Sequence, residues 1–364
     1  MKDKKQNKRI NGGHRLLFFC ILCLFGLYVA VSYAEEQPQR EQSKTKVILL
    51  HTDNLTYDQY RHPGAQILTG NVQFQHDGVL MYCDSACFYE ATNSFDAFGH
   101  VKMVQGDTLD LVGDMLLYNG LDQLARVRHN VVLTHRESKL YTDSLDYDRL
   151  YELGYFFEGG KLVDKDNVLT SDWGQYSPPT RQAVFNYNVK LENPKFTLIS
   201  DTLNYNTLTS MAEIVGPSNI DSGDNHIYSE SGFYNTQTEE AILLDRSIVT
   251  NKGRKMVGDS LYYDSKSGVG EGFRNVVYTD EVNKNMLTGN YCYYNDSTGY
   301  SMATDSAVAI DYSQRDTMYM HADTFKVYTF YMDTDSMYRE VRGYHKVRSY
   351  RMDVQSVCDS LVFD

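Results

Sequence analysis

The chain is predicted to fold as an all-β, elongated, repeat-built antiparallel structure, and three features predict it. Tyrosines recur at a constant step, short runs alternate apolar with polar residues, and Asn and Gly cluster between those runs. From Tyr147, steps of 29 residues reach Tyr60, Tyr89, Tyr118, Tyr176, Tyr205, Tyr234 and Tyr263. Tyrosine supplies only 30 of the 364 residues, so chance does not fill eight equivalent positions. The same step from Leu140 gives Leu111, Leu169, Leu198, Ile227 and Met256, while Gly154 shares its place with Ala125, Ala183, Ala212, Ala241 and Gly270. A period of this length marks an array whose units bury their apolar faces against their neighbours.

Residues 1–34 stand outside the array. Lys2, Lys4, Lys5, Lys8, Arg9 and Arg15 precede an apolar run from Leu16 to Val31, and Ser32-Tyr33-Ala34 places small residues where a signal peptidase reads. Cleavage after Ala34 is the simplest outcome. The alternative is an uncleaved anchor, since the run is near the short end of what spans a bilayer, and membrane contact would then pass through this segment only. Cys20 and Cys23 follow Phe19 and Leu22, which is not a lipoprotein pattern. Either outcome exports the rest, which points to the periplasm. Residues 35–46 are polar and read as a flexible leader. The repeat domain is assigned to residues 47–364, with a register that loosens after about residue 285.

Each unit carries two runs with period two, the mark of a strand with one buried face. In one, Asp143, Leu145 and Tyr147 share a face; its equivalents are Asp114–Tyr118, Asp201–Tyr205 and Asp259–Tyr263. In the other, Ala125, Val127, Val131 and Leu133 share a face, and the step carries Val127 to Phe156, Phe185, Ile214 and Leu243. Asn119-Gly120, Asn206, Asn235 and Ser267-Gly268 supply turns. Pro178-Pro179 and Pro217 are expected in connections, and helix signals are nearly absent. Cys358–Phe363 stops halfway through a unit, which leaves either an open edge strand or a continuation past Asp364.

A net charge of −13 argues against nucleic acid as a partner. Cys83 and Cys87 lie in one strand, where four residues span about 13 Å, beyond disulfide reach. The recurring Asp114, Asp143, Asp172, Asp201 and Asp259 suggest either a calcium ladder or strand-entry residues that bond nearby amides. The glycine-rich spacing of calcium β-rolls is missing, which favours the second. The tyrosine ladder reads as a sugar- or lipid-binding stripe or as rings stacked between strands. His100 and His129 share a repeat position, so a two-imidazole site competes with two separate exposed histidines, and the second is favoured. Nothing in the chain matches a zinc-protease, nucleophile-elbow or phosphate-loop motif. No catalytic residue, metal site or cofactor is therefore assigned, and the chain is read as not an enzyme.

The recurring Asp-Ser/Thr-Leu-x-Tyr strand, with Leu68–Phe74, Ala97–Met103, Arg128–Leu133 and Gly272–Tyr278, resembles the OstA-like family, which is related to the lipopolysaccharide-transport proteins LptA and LptC and to the N-terminal domain of LptD. The likeness spans about residues 47–308. It implies a V-shaped antiparallel β-jellyroll whose interior holds the acyl chains of lipid A, and end strands that pair with other lipopolysaccharide-transport proteins. The family supplies no catalytic residues, and this chain has more units than a minimal LptA and lacks the length of the LptD barrel.

The expected function is non-catalytic lipopolysaccharide transport to the outer membrane, with acyl chains in an apolar groove lined by Leu116, Leu145, Phe156, Leu162, Phe185, Leu203, Ile214, Leu243 and Leu261. The bland alternative is that these side chains form a closed core. The rival functions are a structural or adhesive exported β-solenoid and a β-helical polysaccharide-active enzyme.

Overall fold

A computed structural model describes residues 45–332 and 334–363. The candidate export segment and the leader up to residue 44 lie outside the described residues. The rest is antiparallel β, with a single short 3-10 turn at Glu90–Thr92. Among the described residues, 26 strands form one continuous ladder in which each rung pairs with the next, and several rungs, such as Leu153–Phe156 with Gly160–Asp164, are split into two short strands that pair with the same neighbour.

The period follows from the lengths of the elements. Phe196–Asn206 is an 11-residue strand and Met211–Ser222 a 12-residue strand. A four-residue turn (207–210) joins them, and a two-residue turn (223–224) follows, which completes the 29-residue unit. Short and long turns therefore alternate, and all turns of one kind fall on one side. Residues Asp77-Gly78, with φ of 47° and 76°, show the left-handed pair that a two-residue hairpin requires.

Turn length also explains where the register drifts. The turn 106–108 has three residues instead of two, so inward residues before it are offset by one. Phe88, not Tyr89, consequently occupies the ladder position, and Tyr89 bonds Asp96 (3.4 Å) instead. Tyr60 is 98% exposed in the loop before Gln66 and is no part of the ladder. Later, the four-residue turn 281–284 delays Asn290–Tyr294 by two residues.

Each rung bends once, near its middle. Pairing slips between Asn186 and Val189, between Val112 and Met115, and at the matching place in nearly every long strand. In alternate strands the bend consists of two left-handed residues: Gly99-His100, His129-Asn130, Tyr187-Asn188 and Arg274-Asn275. Such a bulge turns the strand and re-aims its side chains. A valine follows each pair and points inward, namely Val101, Val131, Val189 and Val276, each at most 2% exposed. The recurrent Gly/Asn-x-Val motif is therefore the corner of a rung.

The recurring aspartate belongs to this corner and not to strand entry. Asp114 lies inside the strand Leu109–Asn119, and its carboxylate accepts a hydrogen bond from the Asn130 amide at 2.6 Å. Asp172 accepts from Asn188 (2.6 Å), Asp259 from Asn275 (2.8 Å) and Asp53 from Asn71 (3.0 Å). The partners are side chains on the neighbouring rung, because a bulge leaves those residues outside the backbone ladder. Pro217 sits at a corner too, between Val215 and Ser218, and not in a connection as expected. Pro178-Pro179 do lie in a turn.

Candidate functional site

The bent rungs face their apolar sides inward. Leu116, Leu145, Phe156, Leu162, Phe185, Leu203, Ile214, Leu243 and Leu261 are each at most 2% exposed and belong to one core cluster running from Val47 to Leu261. All nine residues named from the sequence are thus brought together along one interior. They are packed against one another, as in the closed-core alternative. A second cluster, from Val276 to Val347, continues the interior, and Met256 packs against both.

Opposite the corners, the row of two-residue turns meets the row of four-residue turns, and polar groups close this seam. The Tyr118 hydroxyl lies 2.7 Å from His76 Nδ1 and accepts from the Arg149 guanidinium, which also donates to the His76 carbonyl (3.1 Å). The Tyr176 hydroxyl lies 2.8 Å from His135 Nδ1. Tyr205 donates to Asp164 (2.8 Å) and accepts from Asn167 (2.9 Å), and Asn167 also donates to Thr236 (2.9 Å). Further out, Lys165 bonds Ser210 (2.9 Å), and Lys195 pairs with Glu239. Tyr118, Tyr176 and Tyr205 are therefore latches: their rings line the interior and their hydroxyls tie the seam. Tyr118 packs on Phe95 of the adjacent strand at 5.2 Å, the ring contact between neighbouring strands that the sequence suggests, while Tyr234 meets Phe196 two strands away at 4.7 Å.

Protonation states follow from these contacts. The hydrogen bonding assigns His76 a proton on Nε2, which faces Thr45 and Asp77, and leaves Nδ1 to accept from Tyr118. Burial pushes the His76 and His135 pKa values down; Arg149 adds to this at His76, against the nearby Asp77, and Arg181 and Arg136 add to it at His135. Burial raises the Tyr205 phenol above its usual range, helped by Asp164. Tyr147 holds the same ladder position without latching. Its hydroxyl has no hydrogen-bond partner, and neither has Gln105 Oε1.

The seam partners are the residues that sequence reasoning missed. A signal for them exists: Asp164, Asn193, Ser222, Asn251 and Asp280 follow the same step of 29 and are all polar strand ends. His100 and His129 are held by different carboxylates, Asp84 at 2.7 Å and Asp143 at 3.1 Å. Cys83 and Cys87 carry free thiols; the bend between them turns Cys83 inward and Cys87 toward His62, at 3.9 Å. Among the described residues no group of three or more His, Cys, Asp or Glu side chains is arranged to hold a metal.

A family model described as OstA-like protein matches residues 44–201 and 197–259, more than half of the chain. The chain belongs to the OstA-like family. The structure of LptH, the LptA-homologous periplasmic component of the lipopolysaccharide transport device of Pseudomonas aeruginosa, aligns with this chain at a TM-score of 0.26 and 17% identity, covering 27% of this chain and 75% of that one. No curated protein matches this OstA-like chain. Among its described residues no helix is long and apolar enough to cross a membrane.

Proposed function

We propose that this OstA-like protein carries lipopolysaccharide through the periplasm toward the outer membrane, without chemistry, by taking lipid A acyl chains into its interior. The observation that carries the reading is the single apolar cluster shared by consecutive rungs from Val47 to Leu261, with polar groups confined to corners and seam. Acyl chains and such an interior are alike in polarity, so a chain exchanges one apolar contact for another as it moves from rung to rung. The nine named residues are closed off in the resting fold, and contact with lipid requires the seam to part. Its hydrogen bonds suit that task, because each net bond contributes only about 0.5–1.5 kcal/mol and water replaces it on opening. As such a carrier it would hand lipid on by pairing an edge strand with other lipopolysaccharide-transport proteins.

The complete burial of the nine side chains favours a second reading, a purely structural array. Co-elution separates the two. The transport reading predicts that the purified protein co-elutes with lipopolysaccharide and not with the deacylated polysaccharide; equal behaviour toward both removes it.

A further inference from the structure

The latched seam changes character at the junction of the two core clusters. There a cavity of about 80 Å³ opens between Tyr263 and Tyr294. Its origin is local. Gly270 pairs with both tyrosines in the ladder, on one side with Tyr263 and on the other with Tyr294. Four other units carry alanine at this position, Ala125, Ala183, Ala212 and Ala241. A Cβ built on Gly270 would meet nothing closer than 3.8 Å, so the missing methyl leaves space that no neighbour fills. The floor of the cavity is apolar, made by Val249, Met256 and Leu261, and is continuous with the interior.

The mouth is polar and carries an excess of cation. Arg254 lines it, with Nε 3.5 Å from Asp280 and an amino group 3.5 Å from the Tyr294 hydroxyl. Asp280 is buried and already accepts the backbone N–H groups of Val282 and Asn283, and Arg339 approaches it at 3.7 Å. Two guanidiniums thus share one carboxylate. Asp280 and Arg339 lie behind the lining; the charged residues that line the cavity are Arg254, Lys255 and Asp296, two cations against one anion, and Asp296 accepts from Tyr294 at 2.6 Å. A net positive mouth over an apolar floor, in a chain of net charge −13, matches one ligand chemistry.

We propose that this cavity is a side port that takes the end of an alkyl chain belonging to an amphiphile whose anionic head, a phosphate or carboxylate, rests on Arg254. The port rests on the transport reading and locates, in this chain, where a lipid enters the interior. Arg254 reads the head, and the tail follows the gap beside Gly270 to Met256 and Leu261.

The test measures binding of dodecyl phosphate below its micelle concentration to the purified protein, with dodecyl maltoside and inorganic phosphate as comparison probes. The port predicts that dodecyl phosphate binds, that Gly270→Leu weakens it about tenfold or more and Gly270→Ala less, both with melting temperatures near that of the parent, and that Arg254→Gln weakens it about tenfold, read at a temperature where that variant is folded. Binding unaffected by Gly270→Leu and Gly270→Ala overturns the port. So does inorganic phosphate binding as tightly, which marks a free-anion site, or dodecyl maltoside binding as tightly, which means Arg254 reads no head. If the port fails while lipopolysaccharide still co-elutes, the transport reading stands without it.

Discussion

The Tyr205 hydroxyl donates a 2.8 Å hydrogen bond to Asp164, a residue 41 positions earlier, and so joins two rows of turns that have no backbone pairing between them. Asp164 is 1% exposed, and its second oxygen accepts from Ser138 at 2.7 Å. A charge placed there depends on its donors.

Removing that donor exposes the dependence. Tyr205→Phe is expected to cost about 1–3 kcal/mol, because a buried carboxylate and the Asn167 amide each lose a partner. Tyr147→Phe, at a ladder position whose hydroxyl is already without a partner, is expected to stay within about 0.5 kcal/mol of the parent. Urea unfolding of the two variants makes the comparison, and equal losses would contradict the latch assignment.

The seam also confers a pH dependence. His76 and His135 have folded-state pKa values below the ordinary histidine value, so the unfolded chain binds more protons than the folded one as pH falls through about 6.5. Their contribution to stability is present above that value and is lost progressively below it, down toward the depressed folded values. The thermal midpoint should therefore drop between about pH 7 and 5, and the drop should shrink in a His76→Gln, His135→Gln double variant. An unchanged slope in that variant would assign the dependence to other groups.

The corners make a third prediction. Gly99 has φ of +75°, and a Cβ there would run into the Asp84 carboxylate that holds His100. Gly99→Ala should cost about 1–2 kcal/mol from the left-handed backbone alone, and more from the clash. The added loss should fall on an Asp84→Ala background, in a double-mutant cycle read by chemical unfolding. Strict additivity would mean that the two residues do not meet.

Much of this architecture is visible in the chain, for a physical reason. Strand faces, turn residues and the interior members Leu145, Phe156 and Phe185 are set by neighbours a few residues away, so local periodicity displays them. The corner is less visible, because Asp143-Ser-Leu-Asp-Tyr147 looks like the start of a strand when it is the second half of Ser138–Asp148. The seam is least visible. Tyr118 meets His76, Tyr176 meets His135 and Tyr205 meets Asp164 across about 41 residues, and only the pairing of two turn rows brings them together. Tyrosine stands out as a repeat, but its hydroxyl partner changes from His to Asp between units, which hides the column.

Whether the interior receives lipid is decided most directly by photo-crosslinking in cells. A benzoylphenylalanine placed at Phe185 or Leu145, both inward, is compared with one at Ile242, which is exposed on the outer face. The transport account predicts lipopolysaccharide adducts from the two inward positions and none from Ile242. Adducts absent from every inward position, or equally abundant outside, would contradict it.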